Sequence, residues 1–312
     1  MAIIAPTRLP RFTRADPEQR PNFQLTERDI EIVRIVSDNR FVRSTHISQL
    51  LAANHEKISR RLHALYHHAY IDRPDAQKEY YRAGSDKMIY ALANRGAQLL
   101  IHHHGIEVAN VDWSRKNFEA KRAFVLHQLA IVDLRVALIL AARARPELTL
   151  IEPHELIAAM PAATRNAAKP LAWRVKVQHK GAPQEIGVNP DYAFAIRFAD
   201  VSRRCYLVEC DRGTMPVERA GLKQTSLVKK LLVYQHAHKQ KLHVRQFDWK
   251  AFRVLFVTNT GARADNIRAA IHRTADLKNS ELFYITDRHA LTGADILTHA
   301  WQHASGTTHT LI

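Results

Sequence analysis

The residues of this chain that could do chemistry stand out by scarcity. Residues 201–250 hold 11 lysines and arginines against four acids. Two of those acids, Glu209 and Asp211, end the most apolar run of the region, Cys205-Tyr206-Leu207-Val208-Glu209-Cys210-Asp211. Read as a strand with a period of two, it places Cys205, Leu207, Glu209 and Asp211 on one face. Asp191 follows Pro190 at the start of the preceding strand-like run. Paired as a hairpin across the 199–204 turn, the two runs bring Asp191 to the same sheet end as Glu209 and Asp211. Three converging carboxylates call for a cation, and Mg²⁺ or Mn²⁺, hard ions that take oxygen ligands, suit them. Such an ion activates water and offsets charge on a phosphate. Lys230, at helical spacing from Tyr234, would then stabilise the developing charge. A plainer alternative stands beside this one: Glu209 and Asp211 pair with Arg212, Lys229 or Lys230, and Asp211 caps a turn at Gly213-Thr214. Cys205 and Cys210 point to opposite faces of the strand, which argues against both chelation and a disulfide. No Gly-rich phosphate loop and no HExxH motif occurs, so nucleotide-driven chemistry has no support.

A second set is cationic. Between His55 and His68, Ile58, Leu62, Leu65 and Ala69 recur at helical spacing. On the opposite side of the same helix fall Lys57, Arg60, Ala64 and His67, with Arg61 adjacent. Cations around one small residue suit close approach to a DNA major groove. Lys78, Arg82 and Lys87 lie around the tip of a following hairpin, placed for phosphates. His102-His103-His104 do not share a helical face and lack metal-pair spacing, so they read as a solvated tract.

The elements that must position these residues follow from the pattern. Residues 1–22 hold Pro6, Pro10, Pro17 and Pro21 among Arg8, Arg11, Arg14 and Arg20, which predicts a flexible basic arm. Thr26 and Asp29 cap a first helix. A short helix from Ser44 or Thr45, the helix after Asn54, and strands at 70–73 and 88–92 complete the order of a winged helix-turn-helix domain over residues 23–105. Residues 106–145 form a connector with a long apolar helix from about Phe118 to Arg143, which either packs on the next domain or pairs with a second copy as a homodimer. Residues 146–312 alternate strands (148–151, 171–177, 192–198, 205–210, 252–258, 282–285) with helices (222–240, 263–274). That order predicts an α/β sandwich around a mixed sheet. The whole is a two-domain α+β and α/β chain.

Composition narrows the partners. The chain has 312 residues and a formal charge of +16 with 19 histidines, which favours a polyanion such as double-stranded DNA. Residues 1–100 hold 16 Lys+Arg and 11 Asp+Glu, and residues 101–312 hold 30 and 19, so most of the excess lies in the α/β half. Two cysteines make no disulfide scaffold and suit a reducing cytoplasm. The apolar stretch from Leu129 to Ala144 is broken by Asp133, Arg135 and Arg143, and no secretory signal pattern opens the chain, so no membrane partner is expected.

Over residues 25–260 the chain resembles the replication-relaxation family of plasmids and integrative elements. The resemblance is carried by Leu25-Thr26-Glu27-Arg28-Asp29, Arg60-Arg61-Leu62, Tyr90-Ala91-Leu92 with Arg95-Gly96, His127, Pro190-Asp191, Glu209-Cys210-Asp211-Arg212-Gly213-Thr214, and Lys230 with Tyr234. It implies DNA binding in replication, mobilisation or relaxation, with replication or mobilisation proteins as further partners. Asp191 with Glu209-Cys210-Asp211 also resembles the PD-(D/E)xK nuclease core, in which an Asp and a Glu bind metal and a lysine follows two residues after the Glu. Asp211 stands in that lysine's place here, so the resemblance leaves catalysis open, with Lys230 as the substitute. Three functions follow: a DNA-binding protein of a mobile element, a metal-dependent nicking endonuclease, or a transcriptional regulator whose C-terminal half does no chemistry.

Overall fold

The computed structural model describes residues 9–78, 87–105, 108–178, 183–219 and 221–312. They divide into two units, 1–136 and 137–312, so the first unit runs past the junction expected near residue 105. The reason is packing: Val125 and Leu129, expected in a connector, join Phe41, Ile89 and Ala91 in one buried cluster.

The first unit opens its regular structure with α1 (Glu27–Asp38), closed at its start by a reciprocal cap. Thr26 N donates to Asp29 Oδ2 at 2.8 Å while Asp29 N donates to Thr26 Oγ1 at 3.4 Å, satisfying orphan donors of the first turn. Then come β1 (Val42–Arg43), α2 (Ser44–Leu50) and α3 (His55–His67), whose first turn is capped by Asn54. β2 (Ile71–Asp72) and β3 (Ile89–Leu92) follow, and the three strands form an antiparallel sheet in the order β1-β3-β2. Gln77 pins the start of β3, donating to Ile89 O and accepting from Ile89 N, both at 2.9 Å. Next is α4 (Asn94–His104). Its Gly96 lies against β2's approach so closely that a Cβ there would stand 2.1 Å from Tyr70 O.

The described part of the expected free arm is tied down. Arg14 forms an ion pair with Asp72 and donates to Tyr66 O at 3.0 Å, and Ala15 N donates to His67 Nδ1 at 3.0 Å. Asp72 is buried, and a buried carboxylate holds a cation strongly. The long helix is also divided: α5 (Trp113–Phe118) and α6 (Arg122–Arg143) replace the single helix expected from Phe118. By length and composition alone α6 is long and apolar enough to cross a membrane, as core helices of globular proteins also can be. Two of its three interrupting charges are engaged in the first unit: Asp133 accepts from Arg43 and His46, and Arg135 donates to Asn39.

The second unit is a mixed α/β fold. β4 (Thr149–Ile151), α7 (Pro153–Ala158), α8 (Ala162–Arg165), β5 (Trp173–Val177), β6 (Gln184–Val188), β7 (Tyr192–Arg197) and β8 (Arg203–Asp211) lead into α9 (Leu227–Lys239) and α10 (Leu242–Phe247). β9 (Arg253–Thr258), α11 (Gly261–Arg273), β10 (Phe283–Asp287), β11 (Trp301–His303) and β12 (Thr308–His309) complete it. The main sheet runs β12-β11-β10-β9-β8-β7-β4. β7 and β8 pair antiparallel, whereas β8, β9 and β10 are parallel neighbours, joined by the crossovers that parallel strands require. β5 leaves this sheet and pairs with β6 as a separate ribbon, because its inward face, Trp173, Val175 and Val177, is buried in the core that also takes Leu231 and Tyr234 of α9.

Candidate functional site

β8 lies between β7 and β9 and is buried from Cys205 to Asp211, which is why its sequence is nearly continuously apolar. Glu209 shares the face of Cys205 and Leu207, and α9 covers that face. Lys230 and Tyr234, one helical turn apart, meet it from above. Lys230 Nζ lies 2.5 Å from Glu209 Oε2, and Tyr234 Oη donates to Glu209 Oε1 at 2.6 Å. Glu209 is only 2% exposed. Burial pushes its carboxyl up to about 7, the Asp191 charge pushes the same way, and Lys230 offsets part of the rise. For Lys230 burial acts downward, but the Glu209 carboxylate outweighs it and the ammonium is held above its ordinary value. Burial, reinforced by Glu209, raises the Tyr234 hydroxyl far above its own.

The hairpin β7–β8 brings Asp191 beside this group. Asp191 N donates to Val208 O at 3.0 Å, and its Oδ2 accepts from Cys210 N at 2.8 Å. Asp211 is engaged differently. Arg263, at the start of α11, donates from Nε to Oδ2 at 2.7 Å and from the fork to Oδ1 at 3.3 Å, and Gly213 N donates to Oδ1 at 3.2 Å. Arg263 is the residue that sequence reading missed. Its signal lay in the parallel register, which sets Asp211 opposite Thr258 and so puts the next helix start beside the carboxylate.

These contacts decide how the acids stand toward an ion. Both oxygens of Glu209 and both of Asp211 already have partners, and the charge of each faces a cation. Among the described residues, no three of His, Cys, Asp and Glu form a group that could hold a metal. As placed, the side chains do not fit Mg²⁺ or Mn²⁺; Lys230 and Arg263 supply the positive charge. The cysteines are both buried and free.

In the first unit the basic set separates. Asn54 Oδ1 accepts from the backbone N–H groups of Glu56 and Lys57 at 3.0 and 3.1 Å, fixing the start of α3. Ile58, Leu62 and Leu65 are buried beneath it, and Lys57 and Arg60 stand exposed. Arg61 does not share that freedom: its guanidinium pairs with the fully buried Asp29, donating from Nε to Oδ1 at 2.8 Å, and lies over the Phe23 ring. Burial alone would raise the Asp29 carboxyl, but the Arg61 and Thr26 hydrogen bonds hold it below its ordinary value. His67, expected on the DNA face, is wholly buried, and its Nδ1 is taken by Ala15 N. Burial first, then His63, Arg73 and Arg14, bring its pKa down to about 4, so the ring is neutral and out of reach of a ligand. Ala64 is buried too. The helical-wheel argument fails over the last turn of α3 because the segment around Arg14 covers the side that a lone helix would expose. Lys78 pairs with Asp75, Lys87 is exposed, and Arg82 lies outside the described residues.

The replication-relaxation family model matches residues 33–246. That span holds α3, Asp191, Glu209 and Lys230, and ends before Arg263. No curated protein and no solved structure gives a match. The match covers more than half of the chain, which belongs to this family.

Proposed function

We propose that this member of the replication-relaxation family is a DNA-binding protein of a mobile element, acting in replication or relaxation, with residues 23–105 serving as a winged helix. What carries the reading is α3. It sits in the order helix, strand, two helices, hairpin, and presents exposed Lys57 and Arg60 from its capped first turns. A helix is about as wide as the major groove, so Lys57 and Arg60 reach base edges or phosphates while Lys87 meets the backbone beyond the hairpin. Arg61 and His67 act behind this surface: Arg61 fixes α3 on α1, and His67 joins it to the segment around Arg14. Titrating labelled duplex DNA at increasing salt tests the reading. Affinity falls steeply with salt, and Lys57→Ala with Arg60→Ala abolishes specific binding. An unchanged footprint in that variant refutes the assignment.

A second reading has its own observation. Lys230 on Glu209, beside Asp191, is the arrangement that a PD-(D/E)xK-like site with its lysine on the following helix would use. In that reading the second unit is a nicking endonuclease in which Asp191, Glu209 and Asp211 would hold the ion only in an arrangement other than the one described, and Lys230 would stabilise the developing charge. Supercoiled plasmid incubated with Mg²⁺ or Mn²⁺ separates the two. Nicked circles made by the wild type but not by Glu209→Ala support the nuclease; their absence leaves DNA binding alone.

A further inference from the structure

Few large apolar side chains are exposed among the described residues, and two of them lie close together in sequence: Phe118 at 71% and Phe124 at 45%. The segment around them, Trp113-Ser114-Arg115-Lys116-Asn117-Phe118-Glu119-Ala120-Lys121-Arg122-Ala123-Phe124, holds four cations and one acid. All four cations are exposed, and the acid, Glu119, already pairs with Arg115 at 2.8 Å. One of these rings continues inward through an edge-on contact. Phe124 meets Phe41 edge-on at 5.9 Å, and the Arg40 guanidinium lies 4.4 Å from the Phe41 ring and 5.5 Å from the Trp113 ring. Lys116 Nζ is 5.9 Å from the Trp113 ring. Buried Asn117 anchors α5 from below, donating to Asp72 Oδ2 at 2.9 Å and Leu92 O at 2.7 Å, so the exposed ring beside it stands on a fixed base.

We propose that this segment, supported from below by Arg40 and the buried Phe41 ring, is a binding platform for single-stranded nucleic acid. Unpaired bases stack on Phe118 and Phe124, and phosphates meet Lys116, Lys121 and Arg122. Interleaved rings and cations match a strand whose bases and phosphates alternate, and stacking is indifferent to sequence because every base has a π-face. Duplex DNA keeps its base faces stacked inside and offers these rings nothing. The opposite charge of the partner favours nucleic acid over an apolar protein face, which would cover exposed Lys116 and Lys121 without offering them a counter-charge. This proposal extends the DNA-binding reading to a surface separate from Lys57 and Arg60, and rests on that reading only for the polyanionic partner.

The full-length protein, titrated into labelled oligo-dT of about 20 nucleotides and, separately, a duplex of equal length, gives the test. Phe118→Ala with Phe124→Ala weakens oligo-dT binding roughly tenfold or more and leaves duplex affinity within about twofold, while Lys57→Ala with Arg60→Ala does the reverse. Phe118→Trp retains oligo-dT binding. Phe124 touches Phe41, so Phe118→Ala alone, at the more exposed ring, is the variant that keeps the fold beyond question. Trp113 adds an optical readout, because Trp173, Trp249 and Trp301 are all fully buried: oligo-dT quenches tryptophan emission, and Trp113→Phe removes the quench. Unchanged oligo-dT affinity in Phe118→Ala overturns the proposal, as does equal loss for both DNAs or equal competition by anionic phosphatidylserine vesicles. Duplex binding without oligo-dT binding defeats this inference alone; oligo-dT binding without duplex binding defeats the α3 reading alone.

Discussion

Replacing Glu209 with Gln turns the electrostatics of the second unit into a measurement. The Glu209 carboxyl is raised from an ordinary 4.5 to about 7, chiefly by burial. A group whose folded value lies above its unfolded one binds more protons when folded, so its contribution is fullest below 4.5 and is lost as pH rises through 7. At about 1.36 kcal/mol per pH unit the full shift is worth about 3 kcal/mol, most of which falls between pH 5 and pH 8. Glutamine keeps the acceptor for Tyr234 and cannot titrate. The stability advantage of the wild type over Glu209→Gln, read by urea unfolding across that range, therefore shrinks by roughly 2 to 3 kcal/mol as pH rises. In melting temperature this is roughly 5 to 10 °C for a unit of this size. Subtracting the variant removes the buried histidines, which titrate equally in both proteins. Adding Lys230→Met to Glu209→Gln controls for a lysine left without its carboxylate. Parallel profiles refute the argument. So does an advantage that grows with pH, which would make Lys230 stronger than burial and the pair an ordinary salt bridge.

The other outcomes follow from the same geometry. Lys57→Ala with Arg60→Ala reduces the slope of log affinity against log salt by about two, near one for each phosphate no longer neutralised, measured by anisotropy from low to moderate salt. Arg61→Met leaves Asp29 buried without its cation and costs about 3 kcal/mol in urea unfolding, with duplex affinity changed by no more than about twofold; a large affinity loss at unaltered stability would return Arg61 to the DNA surface. Gly96→Ala forces a Cβ against Tyr70 O, 2.1 Å away, and costs about 3 kcal/mol, visible as a lower melting temperature.

How far the sequence carries depends on whether a residue's surroundings are local. The period-two run ending in Glu209 and Asp211, the caps at Thr26 and Asn54, and the i, i+4 pair Lys230 and Tyr234 are local, and their elements stand in the structure within a few residues of the expected bounds. Their partners are less evenly legible. Lys230 on Glu209 was one of several pairings the sequence left open. Arg263 on Asp211 was not among them, because parallel strands bring together residues 52 apart. Arg14 on Asp72, 58 apart, escaped because the N-terminal segment returns to α3 and β2, and took His67 with it: a helical wheel assigns faces to a helix alone and says nothing of a segment folded back across it. These two misses change the reading of the chain's charge. Its arginines are not simply a surplus for a polyanion. Arg14, Arg61 and Arg263 each neutralise a buried aspartate, and if the proposed DNA binding holds, an acid left bare would repel the partner. Lys57, Arg60, Lys116 and Lys121 are exposed, and on the DNA-binding reading they are among the cations that meet a phosphate.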